Sequence, residues 1–191
     1  MNGGVVDCGN LDDNRANADW LRRMHDHHAS GFRSCPTRGR HWGPLGAAGV
    51  IPWVSWSGRV AVLLGRRGSD VQDPCVWSSF GGAIEPGETT AEAAVRELRE
   101  EVSGVSIELS AKPAFTDTCQ SCGWSYTTHL GRVLLDSGGR LPVVRVKNFE
   151  TDAAWWVLRD EVTRLNLHPG FAKAWPVLRA QLMAAAKQAA S

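Results

Sequence analysis

Apolar positions fall in short runs separated by glycine, proline and charged turns. Gly46 to Trp56 is apolar at almost every position, which predicts a buried strand, with Pro52 marking an edge or a bulge. Arg59 to Leu64 has the β-branched, apolar pattern of a second strand, with Ser57-Gly58 as the turn between the two. Gly65 to Pro74 reads as a charged loop, and Trp77 to Phe80 as a short strand leading into Gly81-Gly82. From Thr89 to Val102 the period changes to that of a helix: Ala91, Ala94 or Val95, Leu98 and Val102 recur at steps of three or four. Gly104 is the expected helix stop. Further strands are predicted near Val105–Leu109, Ser125–Leu135, Val143–Val146 and Ala154–Leu158. A short helix near Asp160–Leu165 and a longer one from Gly170 to about Lys187 close the chain. Adjacent strands with helices in the middle and at the end predict an α/β architecture, a mixed sheet with helices on both faces.

Residues 1–45 read differently. They are rich in Asn, Asp, Arg, His and Gly, with one possible helix from Ala16 to His27, and are set apart as an N-terminal extension to a domain over 46–190. The length of 191 residues suits one domain with such an extension. Net charge is +1 with balanced acids and bases, which argues against a protein that wraps a nucleic-acid polymer. No stretch has the apolar length of a membrane helix and no targeting segment is recognisable, so the default expectation is a cytoplasmic protein. Five cysteines lie at Cys8, Cys35, Cys75, Cys119 and Cys122. Only Cys119 and Cys122 have metal-like spacing. A second ligand pair could come from Cys35 and one of His25, His27, His28 or His41, but the separation is long and irregular. The expectation is free thiols and no structural zinc.

The chemistry concentrates in Gly81 to Glu101. On the predicted helix Glu97, Glu100 and Glu101 stand at i, i+3 and i+4, so the three carboxylates are neighbours and raise one another's pKa. Such a group is either a solvated acidic face or a site for a hard cation. Mg²⁺ suits the second reading, because it takes oxygen ligands from a few carboxylates, water and phosphates. Gly81 and Gly82 follow a strand, where a missing side chain lets the backbone approach metal or phosphate. Glu92 and Arg96, four apart, can pair along the helix.

Gly82, five residues, Glu88, seven residues, then Arg96-Glu97-Leu98-Arg99-Glu100-Glu101 resembles the Nudix signature, G-x5-E-x7-R-E-U-x-E-E-x-G-U with U apolar. The match departs after Glu101: Ser103 stands where the family has Gly, and Gly104 follows, as if one residue were inserted at the helix end. Weaker likenesses to a bacterial MutT-like subgroup occur at Gly46–Val50, Gly123–Thr128 and Leu167–Phe171 with Trp175. The resemblance implies an α/β/α sandwich (the Nudix fold). It implies Glu97, Glu100 and Glu101 as metal ligands with the Gly81 carbonyl, and Glu88 and Arg96 as the pair that holds the loop on the helix. The implied cofactor is Mg²⁺ or Mn²⁺, which polarises phosphates and activates water. An acid in the loop before Trp156 often handles the water in this family; Glu150 is the Glu there and Asp152 the other carboxylate, while the position three before Trp156 is Ala153.

Nine tryptophans are a high count, and aromatic faces stack on bases. Trp124 and Tyr126 are the favoured base-contact candidates, with Arg66 and Arg67 as phosphate candidates. His168, ahead of Pro169, reads as a local structural group. No Gly-x4-Gly-Lys-Ser/Thr loop is present. The expected function is hydrolysis of a phosphoanhydride in a nucleoside diphosphate linked to another group, most of all a nucleoside triphosphate pyrophosphohydrolase acting on a small-molecule nucleotide. The alternatives are a nucleotide-sugar (ADP-ribose type) pyrophosphatase and a non-catalytic nucleotide sensor. The complete carboxylate triad favours the enzyme.

Overall fold

The computed structural model describes residues 31–189 apart from 57, 70, 136 and 137. The predicted Ala16–His27 helix lies outside the described residues. Twelve strands and two α-helices are described. A hairpin of β1 (Phe32–Cys35) and β2 (Gly39–Trp42) comes first, followed by β3 (Ala47–Trp56), β4 (Arg59–Arg67), β5 (Trp77–Ser78) and β6 (Phe80–Ala83). Helix α1 (Thr90–Glu101) precedes β7 (Val102–Ser103), β8 (Ile107–Leu109), β9 (Phe115–Thr118) and β10 (Ser125–Val133). Then come β11 (Arg145–Val146), β12 (Thr151–Leu158), a 3₁₀ turn at Arg159–Arg164 and α2 (Pro169–Gln188).

The main sheet runs β12-β4-β3-β10-β8, with β5, β6 and β9 attached to β4, β3 and β10 respectively. It is mixed: β3 and β10 are parallel, from Ala47 opposite Tyr126 to Trp53 opposite Arg132, and the other pairs are antiparallel. Two apolar clusters cover its faces. On one, Leu178, Leu182, Phe171 and Trp175 of α2 pack with Ile51, Val62 and Leu64. On the other, Ala93, Ala94 and Leu98 of α1 pack with Ala48, Val50, Leu63 and Phe80. Strand residues of alternating parity thus feed opposite layers, as the pleat requires. The result is the expected α/β arrangement with a helix on each side.

Pro52 corrects the expectation of an edge or bulge. It is fully buried in the central strand. Along that side of β3 the pairing passes from β6, which ends opposite Val50, to β4, which begins opposite Trp53. Proline sits where the ladder changes partner, so its missing N–H costs no rung of either ladder.

Helix α1 starts on a capping box: the Thr89 hydroxyl accepts from the Glu92 amide, and the Glu92 carboxylate accepts from the Thr89 amide. Glu92 is thereby turned toward the N-terminus. The Glu92–Arg96 pair expected from spacing does not form, and Arg96 pairs with Glu88 instead. The helix ends at Glu101, and Val102-Ser103 form a two-residue strand paired with Arg145-Val146. Gly104 does take positive φ (+86°), but as a turn beyond that strand, where a Cβ would strike the Val143 carbonyl. The extra residue of the signature is therefore spent on pairing rather than on a looser helix end.

Strands β1, β2, β7 and β9 have no counterpart among the elements expected from the sequence. The first two lie inside the segment set aside as an extension, and β9 is too short and polar to show a period. Cys35, Cys119 and Cys122 form no disulfide, whereas Cys75 is disulfide-bonded and departs from the expectation of free thiols. Cys75 lies in a loop where it and Asp73 both have positive φ. Among the described residues no helix is long and apolar enough to cross a membrane.

Candidate active site

The cluster is built where β6 and α1 meet. Glu97 and Glu101 do not lie on a solvated face: each retains less than a tenth of its accessible surface. They point under the strand, while Glu100, one residue round the helix, stays at the rim with its side chain 37% exposed. The apolar stripe is made by Ala93, Ala94 and Leu98 together with Val102, and Ala91 is only half-buried.

Glycine permits the approach. A Cβ on Gly82 would stand 2.5 Å from Glu97 Oε1, and a Cβ on Gly81 would stand 2.4 Å from the Ala48 carbonyl and 2.6 Å from the Tyr126 hydroxyl. Neither position accepts a side chain without moving the carboxylate or the strand. The Gly81 amide donates to Glu101 Oε1 at 3.0 Å, and the Thr151 hydroxyl donates to Glu101 Oε2 in a short contact. Thr151 opens β12 and was not singled out from sequence. No motif position marks it; only the folded register brings it to the helix.

Arg96 is the hub of the loop. Its Nε and Nη2 donate to the two oxygens of Glu88 at 2.8 and 3.0 Å, Nη2 also to the Ala83 carbonyl at 2.8 Å, and Nη1 to Glu97 at 2.8 Å and Glu100 at 3.3 Å. Glu88 also accepts from the Glu85 amide at 3.0 Å. One planar guanidinium thus fixes the loop to the helix and orients two of the three carboxylates. The surrounding carboxylates raise its pKa, so it stays charged.

Burial pushes the Glu97 carboxyl up to about 7, partly opposed by Arg96 and reinforced by Glu100 and Glu150. Burial pushes Glu101 up to about 8 despite the Thr151 and Gly81 hydrogen bonds, with Glu97 and Glu150 adding to it. Two buried acids that share a single guanidinium, Arg96 on Glu97, have the chemistry of donors to a hard cation, which would hold both as carboxylates. Glu97, Glu100 and Glu101 fit a divalent metal. Gly81 is placed beside them, and Glu150 faces the same group from the loop before β12.

A cleft of about 1570 Å³ opens over the cluster, large enough for a nucleotide. Glu97, Glu100, Glu101, Glu150 and Thr151 line it, as do the cations Arg38, Arg40, Arg67 and Lys147 and the aromatics Phe32, Trp42, Phe115, Trp124, Phe149 and Phe171. Trp124 reaches the cleft with one face stacked on His41 (centroids 4.4 Å, planes 7° apart) and its Nε1 tied to the carbonyls of Trp42 and Gly43. Tyr126 also lines the cleft, but its hydroxyl lies 3.4 Å from Ser79 Oγ and against Gly49 and Gly81, and burial raises it to about 12. Arg66 does not line the cleft. It pairs with Asp152 at 2.7 Å, and its neighbour Arg67 takes the cleft position. His168 caps α2 by accepting from the Gly170 amide at 3.1 Å, the local role read from sequence.

A family profile described as NUDIX domain matches residues 44–181. A Mycobacterium tuberculosis protein named "Putative 8-oxo-dGTP diphosphatase 3" is 39% identical over 145 residues, covering 73% of this chain and 64% of that protein. The chain thus spans somewhat under two thirds of that relative's length. A Bifidobacterium longum protein named "Nucleoside triphosphate pyrophosphatase/Nudix hydrolase fusion protein" is 26% identical over 155 residues, 80% of this chain and 31% of that protein. Among solved structures, the Nudix hydrolase RenU from M. smegmatis is 30% identical with a TM-score of 0.64, covering 78% of this chain and 92% of that one.

Proposed function

The chain belongs to the NUDIX domain family, and on that premise we propose that it is a Mg²⁺-dependent hydrolase of nucleoside triphosphates that releases pyrophosphate. One observation carries the reading: two buried carboxylates, a rim carboxylate and Glu150 line one nucleotide-sized cleft together with cations and aromatic rings. The names of the relatives, one of them for an 8-oxo-dGTP diphosphatase, agree with a triphosphate and point to purines.

A divalent ion held by Glu97, Glu100 and Glu101, with the Gly81 carbonyl, would polarise the phosphates and lower the pKa of bound water. The protein's own residues do the rest. Arg96 keeps Glu97 and Glu100 in their rotamers. The Gly81 amide and Thr151 hydroxyl fix both oxygens of Glu101. Arg67 and Lys147 lie on the cleft wall where phosphate oxygens would be neutralised, and an exposed aromatic face there would stack a base. Glu150, on a separate loop that lines the same cleft, accepts a proton from the attacking water in this reading.

Two results are expected. A panel with Mg²⁺ of nucleoside triphosphates and oxidised purine triphosphates, read for phosphate with and without added pyrophosphatase, and of ADP-ribose, read for phosphate after alkaline phosphatase has acted on AMP and ribose 5-phosphate, will give phosphate from the triphosphates only when pyrophosphatase is present, with turnover highest on a triphosphate. Turnover confined to ADP-ribose would replace the substrate class. Glu150→Gln will lower kcat by about 10²-fold with KM nearly unchanged. Near-full kcat across neutral and mildly alkaline pH would remove Glu150 from the reaction.

The metal-free protein carries a further signature. Glu97 and Glu101 have folded pKa values above the ordinary 4.5, so their contribution to stability is fully present below about 4.5 and is lost as pH rises through about 7 to 8. Tm measured in chelator will therefore fall from pH 5 to pH 8, to an extent of order several degrees. Added Mg²⁺ will restore Tm most at the alkaline end, where the ligands are deprotonated. A Mg²⁺ effect that is the same at both ends would show that these acids do not hold it.

A further inference from the structure

Beyond the catalytic carboxylates, we infer that the chain holds a structural Zn²⁺ in a tetrahedral Cys₃His site formed by Cys35, His41, Cys119 and Cys122. The ligand atoms of these four residues all lie within 4.8 Å of one another. Cys35 Sγ and Cys119 Sγ are 3.6 Å apart. Ligands at ordinary Zn–S bond lengths of about 2.3 Å lie roughly 3.8 Å apart on a tetrahedron, whereas a disulfide would need about 2.05 Å. The set is soft, with three sulfurs and one imidazole, and carries no carboxylate, which selects zinc over magnesium or calcium.

The ligands arrive on two tight turns. Cys35 and His41 sit on the two strands of the β1–β2 hairpin, whose turn closes on Gly39 with φ +72°. Cys119 and Cys122 sit on the β9–β10 turn, where the Gly123 amide donates to the Cys119 carbonyl at 2.8 Å and Gly123 has φ +70°. Each turn supplies a pair, the arrangement that a structural zinc site needs. The second pair sought in the sequence is therefore Cys35 with His41, and the long separation between pairs is bridged by the fold.

Two independent observations point to an ion. His41 Nε2 is buried and has no hydrogen-bond partner among the described residues, although its ring is held parallel to Trp124. A buried ring nitrogen left bare costs free energy unless it meets a ligand. The hairpin is otherwise lightly held: of its eight strand residues only Cys35 is buried, and its further links to the β9–β10 turn region are the Trp124 indole, stacked on His41 and bonded to the Trp42 carbonyl, and the Thr37–Ser121 hydrogen bond. A two-stranded hairpin is marginal in water without a packed face or a cross-link, and metal coordination supplies one. The Ser121 hydroxyl, 3.3 Å from Cys35 Sγ and 3.2 Å from Cys119 Sγ, is within reach to donate its one proton to either sulfur as a thiolate. On binding, the three thiol protons leave to solvent and imidazole coordinates in its neutral form.

The test is elemental analysis of the full chain, expressed with zinc in the medium, purified without chelator and dialysed against excess Mg²⁺. The expected result is about one zinc per chain in the wild type and in Glu101→Gln, falling at least tenfold in Cys119→Ser and in Cys35→Ser. Zinc kept by both cysteine variants, no zinc in the wild type, or a Cys35–Cys119 disulfide by mass spectrometry would each overturn the assignment. Should the cysteine variants not fold, Co²⁺ exchanged into the wild type decides it. Thiolate-to-cobalt charge-transfer absorption with tetrahedral d–d bands supports the site, and their absence refutes it.

Discussion

Replacing Glu101 by Gln is expected to lower kcat by at least about 10³-fold, roughly 4 kcal/mol of transition-state stabilisation. Both oxygens of Glu101 are already engaged, one by the Gly81 amide and one by Thr151. An amide of the same shape offers one acceptor where two are used and removes the charge on the most deeply buried ligand. The loss should not come from unfolding. A neutral side chain avoids the cost of ionising a buried acid, so metal-free Glu101→Gln should melt at or above the wild type at pH 8 and show a weaker decline with pH. Steady-state rates at saturating Mg²⁺ and a melting series in chelator, taken together, separate these effects. A kcat within about threefold of wild type would mean that the cation is held elsewhere.

The second large effect is structural. Arg96→Met should cost roughly 3 kcal/mol of stability, because it leaves Glu88, Glu97 and the Ala83 carbonyl with donors removed in a partly buried site. Lysine should recover less than half of this. It brings charge but only a single ammonium, whereas Arg96 serves Glu88 with two nitrogens and reaches Ala83, Glu97 and Glu100 as well. Urea denaturation of Arg96→Met, Glu88→Gln and the double variant gives the coupling. A coupling energy above about 1 kcal/mol is expected, and additivity would show that the loop is anchored by other groups.

The signature stretch was legible because its chemistry is local. Gly82, Glu88, Arg96 and the three acids sit within twenty residues, and a helix turns their spacing into proximity without help from the rest of the chain. The apolar runs that became β3 and β4 were legible for the same reason. What escaped was decided by contacts between distant segments. Thr151 meets Glu101 only through the β4–β12 register, and Glu92 turned to its cap because Thr89 was nearer to it than Arg96 was. Arg66 and Arg67 cannot be told apart by composition: adjacent strand residues face opposite ways, and only the sheet says which one sees the cleft. The Cys35–His41 pair was visible as residue types but not as a site, since a separation of some eighty residues gives no hint of contact.

The parallel pairing of β3 with β10 sets how the protein reaches its folded state. Ala47 stands opposite Tyr126, 79 positions later in the chain, and between them lies all of α1. The centre of the sheet cannot close until that whole stretch has been brought back on itself, and such distant pairings make folding slow. Helix α1, with its capping box and short-range bonds, can form early, but Glu101 acquires Thr151 only when β12 docks on β4. Refolding is therefore expected to restore helical signal first and cation binding last, with the competent site emerging in the slowest phase.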